Sequence, residues 1–308
     1  MGMKNMAQLD EYLINTCNEM YKTACTHCKA DYVDEDSCFW YHSVWQYLRL
    51  LNCVSSPEWH KDFYKEAIEG YIKKNNKSKI KILISGCADN SMLHVIVDTL
   101  AEVMKERPGL SGDIVAVDLC ETPLLVCEKW WKEGKKPAIY SKVLRKFKFS
   151  RVQIDIFKYS GSEFDLIITD AFLTRFPKDM VQALLRHCGS LLGADGQVIT
   201  TVRIHEDSEL TLNERYRQIT EFVEKVLDRY SHLKRKIQFD ISASQLKYKA
   251  QVYAVKMTSY SLGNKDEIEQ ILEQYFNFII RSRQDTDGEL SKTSYGHYVL
   301  EKKNDGVK

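Results

Sequence analysis

The stretch KILISGCADNSMLHVIVDTL, residues 81–100, passes from one hydrophobic period to another within a few positions. Ile82 to Ile84 are consecutive apolar residues, the pattern of a strand covered on both faces. Ser85 to Asn90 are small or polar. Leu93, Ile96, Val97 and Leu100 then recur three or four apart, and Met104 continues the stripe, which predicts a helix over 91–104 with one apolar face. A strand that ends in small residues and turns at once into a helix brings its backbone close to anything bound beyond the strand's end. Gly86 permits that reversal because no side chain stands in the way.

Working outward, further strands are predicted at 114–117, ending in Asp118, at 151–157, containing Asp155, at 164–169, ending in Asp170, and at 197–202. Helices are predicted at 123–131 and 178–192. Apolar strands that alternate with helices and lack in-out alternation make a parallel sheet covered on both sides. Beyond Val202 the alternation stops. A charged amphipathic helix is expected at 212–230, a strand or part of an inserted lid at 250–257, and a helix at 267–275. Strands at 276–283 and 295–301, with DTDG at 285–288 between them, are expected to pair antiparallel and close the sheet.

Upstream of the sheet, residues 8–29 and 39–53 read as helices separated by the polar, acidic stretch 31–37. Trp40, Val44, Tyr47, Leu48 and Leu51 form an apolar face in the second. Pro57 starts a third helical pattern through Phe63, Ala67, Ile68 and Tyr71. The chain is therefore expected to be an α/β protein. A Rossmann-like, mostly parallel sheet flanked by helices occupies 76–308, with an insertion or lid at 204–262, behind an N-terminal helical cap at 1–75.

The totals narrow the function classes. Of 308 residues, 44% are hydrophobic and 28% charged, a composition that argues against general disorder. The 44 basic and 43 acidic side chains leave a net charge of +1, so no global field draws the chain to nucleic acid. LRKFKFSR at 144–151 and HLKRKIQF at 232–239 interleave basic and aromatic residues, but amid acidic neighbours they read as solvated faces. No run approaches the roughly 18 apolar residues of a membrane span, and the opening MGMKNMAQLDEY lacks the apolar core of a secretion leader. The odd number of cysteines, nine, suits a reducing compartment, so a soluble, cytoplasmic protein is expected. Cys25 and Cys28 form a C-x2-C pair, with Cys17, His27, Cys38 and His42 nearby. No second such pair follows, and no metal is expected, because a structural site needs four converging ligands.

Acidic residues close successive strands where open parallel sheets bind ligands. From there the Asp118 carboxylate can accept both hydroxyls of a ribose, Asp155 can accept from an adenine amino group, and Asp170 closes the fourth strand. The competing reading makes Asp118 and Asp170 simple helix caps. The turn is not a dinucleotide fingerprint: it reads G-C-A-D-N-S, with Gly86 alone of the glycines of G-x-G-x-x-G. Asp89 would project negative charge toward a pyrophosphate at the helix N-terminus, and no G-x-x-x-x-G-K-[ST] loop occurs. A phosphate-free ligand carrying a cationic amine suits such a turn better.

These features resemble the class I S-adenosylmethionine-dependent methyltransferases. ILISGCADNS at 82–91 is similar to their glycine-containing cofactor loop, VAVDL at 115–119 to their ribose-binding strand end, and QIDIF at 153–157 to their adenine-binding acidic position. FDLIITDAFLTRFP at 164–177 and LLGADGQVIT at 191–200 are similar to the segments that follow. The resemblance covers 80–202 and extends to 265–302. It implies a seven-stranded sheet with a final antiparallel strand and S-adenosyl-L-methionine as cofactor. Around that cofactor it implies Ser85, Gly86, Cys87, Ala88 and Asn90 in the loop, Asp118 with Leu119, Asp155 with Ile156, and Asp170. Ala88 and Asn90 stand where the family usually has its second and third glycines.

Methyl transfer needs an in-line nucleophile held against the methyl carbon, and a general base where the acceptor is protonated. The candidates for that base are His205 and Glu206, just past the fifth strand, and Asp170 with Arg175 beyond the fourth; His94 reads as packing. Tyr32, Trp40 and Tyr41 from the cap, with Arg175 beyond the fourth strand, are the residues expected to enclose the acceptor. The favoured reading is O- or N-methylation of a small molecule. Its alternatives are a nucleic-acid or protein methyltransferase, an NAD-dependent oxidoreductase, and a nucleoside-binding protein without catalysis. The oligomeric state is not legible in the sequence.

Overall fold

The computed structural model describes residues 11–28, 38–133, 136–161, 163–204, 212–257, 259–286 and 293–303. Seven strands form one sheet: β1 (Lys79–Ser85), β2 (Ser111–Asp118), β3 (Phe147–Gln153), β4 (Phe164–Asp170), β5 (Leu192–Ile204), β6 (Phe276–Thr286) and β7 (Thr293–Lys302). Their spatial order is β3-β2-β1-β4-β5-β7-β6. The first five run parallel, and β7 inserts antiparallel between β5 and β6, pairing antiparallel with both. The Rossmann-like sheet and its reversed strand are both present. The strand order switches beside β1, between β2 and β4, so the crevice beyond the carboxyl end of β1 is where such a sheet opens to a ligand.

Helices α1 (Glu11–His27), α2 (Phe39–His42), α3 (Trp45–Leu50) and α4 (Lys61–Asn75) precede the sheet. Helices α5 (Ser91–Glu106), α6 (Glu121–Lys132), α7 (Ser141–Lys146) and α8 (Lys178–Leu191) connect its parallel strands. Helices α9 (Leu212–Lys234), α10 (Ala243–Lys256) and α11 (Lys265–Glu273) follow β5. One face of the sheet buries Ile82, Ile84 and Ile114 against Tyr64 and Ile68 of α4, Leu93 and Ile96 of α5, and Trp130 of α6. The other buries Leu83, Ile167 and Val198 against Leu184 and Leu185 of α8 and Ile271 of α11. A third core joins α1 and α3 to α9 and α10, through Cys17, Leu48, Phe222, Val226, Leu246 and Tyr253. The cap and the segment after β5 therefore share one helical layer, whereas α4 packs on the sheet itself.

Four readings of the sequence change. Residues 250–256 belong to α10, whose capping box (Ser242 with Gln245) starts the helix at Ala243. The expected helix over 39–53 is two short helices broken at Ser43 and Val44. β3 spans 147–153 rather than 151–157, so Asp155 falls past its end. β5 runs from Leu192 to Ile204, extending the strand expected at 197–202 in both directions. The acidic break at 31–37 and the second half of the DTDG turn lie outside the described residues. No helix among the described residues is long and apolar enough to cross a membrane.

Candidate functional site

β1 ends at Ser85, and the chain reverses at Gly86 with φ +72°, in the left-handed region. Gly86 N–H still donates to Val117 O at 3.2 Å, which holds the turn against the end of β2. A Cβ on Gly86 would stand within the ring of Phe172, from the segment after β4, so both backbone conformation and space demand glycine here. Beyond the turn lies a cavity of about 350 Å³, in the size range of small-molecule sites. Of the residues singled out in the sequence, Ser85, Gly86, Cys87, Ala88, Asp118, Asp170, Trp40, Tyr41 and Arg175 line it.

The rest of the expected set lies elsewhere. Asn90 is buried beneath the turn and accepts from Gln46 Nε2 at 3.0 Å. Leu119 is exposed. Asp155 does not line the cavity; its carboxylate caps the short helical turn 156–158, accepting from Phe157 N at 3.0 Å, and Ile156 is buried in the core below. His94 packs against Trp130 and meets Tyr140 Oη through Nε2 at 3.0 Å. Tyr32, His205 and Glu206 fall outside the described residues.

Asp89 behaves differently from the expectation of a carboxylate projected at the ligand. Its Oδ2 accepts from Arg49 Nη1 at 2.7 Å and from Gln46 Nε2 at 3.2 Å. Its Oδ1 accepts from Ser91 N at 2.8 Å. Burial alone would raise the Asp89 pKa; Arg49 and the Ser91 N–H outweigh it and hold the carboxyl below its usual range. Arg49 in turn is gripped by Glu58. The turn's negative charge is thus neutralised by α3, and the α5 N-terminus, where a pyrophosphate would sit, already receives the chain's own carboxylate.

Asp118 remains available at the cavity wall. Burial pushes its carboxyl up to about 6, against the N–H groups of Cys120 and Cys87, which pull it down. Its Oδ1 accepts from Cys120 N at 2.8 Å. Asp170 is fixed differently: its Oδ1 accepts from Tyr64 Oη and Thr201 Oγ1, each at 2.7 Å. Two polar atoms at the wall, Ser85 Oγ and Trp45 Nε1, are buried without a hydrogen-bond partner. Such atoms are costly unless something entering the cavity satisfies them.

Several wall residues escaped the sequence reading. Tyr253, from α10, completes an aromatic cluster with Tyr41 (ring centroids 5.9 Å), Trp40 (6.1 Å) and Trp45 (6.2 Å). Tyr41 and Trp45 stack at 5.0 Å. Arg203 lies near Tyr295, its Nη2 3.4 Å from Tyr295 Oη. Ser55 leads inward to a buried imidazole pair: Ser55 Oγ is 3.1 Å from His60 Nε2, and His60 Nδ1 is 3.0 Å from His297 Nε2. Burial, with His60 beside it, lowers the His297 pKa to about 4. These residues come from segments far apart in sequence, where spacing gives no signal.

No protein-family model and no curated protein matches this chain. Among solved structures it is similar to a SAM-dependent methyltransferase from Methanosarcina mazei, at 12% identity and a TM-score of 0.47, over 76% of this chain and 96% of that one. It is also similar to the N-methyltransferase NodS from Bradyrhizobium japonicum, at 9% identity and a TM-score of 0.44, over 92% and 99%. A third is the magnesium protoporphyrin IX methyltransferase ChlM from Synechocystis, at 10% identity and a TM-score of 0.43, over 96% and 99%.

Proposed function

We propose that this chain transfers a methyl group from S-adenosyl-L-methionine to an oxygen or nitrogen of a small-molecule acceptor. The observation that carries the reading is the α5 N-terminus, closed by Asp89, beside a cavity that retains the Asp118 carboxylate and two unsatisfied polar atoms. That arrangement disfavours a pyrophosphate and so an NAD-dependent oxidoreductase. It suits a phosphate-free nucleoside, whose ribose hydroxyls would donate to Asp118.

When bound, S-adenosyl-L-methionine supplies an electrophilic methyl carbon on a sulfonium. Ser85 and Gly86 would face its amino-acid part and Asp118 its ribose. Trp40, Tyr41, Trp45 and Tyr253 form an apolar wall that excludes water. Arg175 and Arg203 bring positive charge to the cavity, which fits an acceptor bearing an acidic group. Ser55, whose Oγ lies 3.1 Å from His60 Nε2, places a hydroxyl at the cavity wall that could hold a polar group of the acceptor.

Calorimetry with S-adenosyl-L-methionine and with NAD tests the cofactor, and transfer of labelled methyl to a panel of acidic small molecules tests the reaction. Binding of the sulfonium compound alone is expected. Binding of NAD alone would sink the reading, and cofactor binding without transfer to any acceptor class would reduce it to a nucleoside-binding protein.

A further inference from the structure

Four side chains, of which Cys38 and His42 also line the cavity, meet where the helical cap touches the carboxyl end of β2. Cys28 follows α1, Cys38 precedes α2, His42 ends α2, and Cys120 stands between β2 and α6. One ligating atom from each lies within 4.8 Å of all the others. Cys28 Sγ is 3.4 Å from His42 Nδ1 and 3.9 Å from Cys120 Sγ, and Cys38 Sγ is 3.3 Å from Cys120 Sγ. In a tetrahedron with bonds of about 2.3 Å to sulfur and about 2.0 Å to nitrogen, neighbouring ligand atoms stand roughly 3.5–3.8 Å apart. The measured separations bracket that range.

We propose that the chain binds one zinc ion through Cys28, Cys38, His42 Nδ1 and Cys120, as a closed structural site. Three thiols and an imidazole gathered at one poorly solvated point gain little from one another as neutral groups, because S–H is a weak donor. A divalent cation satisfies all four. The surroundings favour thiolates: α6 begins immediately after Cys120 and points its N-terminus at the cluster. Thr122 Oγ1, fully buried, lies 3.2 Å from Cys28 Sγ and would donate to it as an outer-shell partner. Cys25, the other half of the C-x2-C pair, is exposed and takes no part.

Four protein ligands leave no open position for a reacting group, so the ion's role is to hold. It would tie the end of α1 and the whole of α2 to the turn after β2. That turn follows Asp118, whose Oδ1 accepts from the Cys120 N–H at 2.8 Å, and α2 carries Trp40 and Tyr41 of the cavity wall. The ion would thus fix the cap over the proposed ribose position.

The test is metal content of the full chain, purified with reductant and without chelator, read by elemental mass spectrometry. One zinc per chain is expected, with cobalt substitution giving the visible bands of tetrahedral thiolate ligation. Cys28→Ser, Cys38→Ser and Cys120→Ser should each bring zinc to background, while Cys25→Ser retains it. His42→Cys should also retain it, which keeps the proposal testable if the serine variants fail to fold. Wild-type protein lacking zinc and showing no thiolate–cobalt bands would overturn the site. So would a Cys38–Cys120 disulfide in protein that takes up no cobalt after reduction. Metal content is read without any methyl donor, so an inactive chain holding zinc would count against methyl transfer alone.

Discussion

Arg49 Nη1 stands 2.7 Å from Asp89 Oδ2, and both side chains are almost wholly withdrawn from solvent. The pair joins the helical cap to the last residues of the strand-to-helix turn. It accounts for an acidic residue in a ligand-facing loop: the carboxylate closes the helix N-terminus and is itself neutralised from the cap. A buried charge whose partner is removed costs far more than the intact pair contributes.

Replacing Arg49 by Met should therefore destabilise the fold by roughly 3–5 kcal/mol, since it strands Asp89 in a buried site. Asp89→Asn should cost less, because Glu58 still pairs with Arg49. Urea unfolding of both variants checks the order. Equal midpoints for wild type and R49M would remove the pair from any part in stability.

Gly86→Ala should weaken S-adenosyl-L-methionine binding at least about tenfold, because the φ of +72° is strained for alanine by about 1–3 kcal/mol and the Phe172 ring must move. Gly70→Ala is the contrast. Gly70 lies inside α4 with open space around it, so alanine there should raise stability by roughly 0.5–1 kcal/mol and leave binding alone. Calorimetry on both reads the difference, and an unchanged dissociation constant for G86A would detach the turn from the ligand.

Asp118→Ala should reduce cofactor affinity by roughly 1–3 kcal/mol if the carboxylate accepts ribose hydroxyls in its buried setting. Asp155→Ala should leave affinity unchanged, because that carboxylate caps its own turn outside the cavity. The reverse result would return adenine recognition to Asp155 and take the ribose role from Asp118.

The sheet was legible because its signals are local. Ile82 to Ile84 and the stripe from Leu93 to Met104 each declare their element, and Gly86, Asp118 and Asp170 fall at strand ends by counting alone. Asp155 was placed inside a strand because β3 was read too late: the polar Lys148 and Ser150 concealed the start of a strand at the sheet's edge, most of whose residues are only partly buried. The remaining wall was invisible for another reason. Tyr253, Arg203 and Ser55 reach the cavity through tertiary packing, as Cys120 reaches Cys28, Cys38 and His42. Asp89 shows a third limit. Its position was legible, but its charge was not, because the neutralising Arg49 lies on another element.

The imidazole pair gives a pH dependence of known sign. His297 is buried, stacked on Phe63 at 4.5 Å and set against His60, and its pKa falls from 6.5 to about 4 on folding. The fold therefore favours its neutral form. Above pH ~6.5 neither folded nor unfolded chain protonates it, and its neutral burial has no titration cost. As pH falls from there, the unfolded chain takes up a proton that the folded chain refuses until about pH 4. Stability is lost across that window, by at most roughly 3 kcal/mol at about 1.4 kcal/mol per unit. Carboxylates also lose favourable interactions in acid, so the measurement is the difference between wild type and His297→Gln. Urea midpoints at several pH values across the window should fall more steeply for the wild type. Parallel profiles would mean that His297 takes up its proton in the folded chain as readily as in the unfolded one.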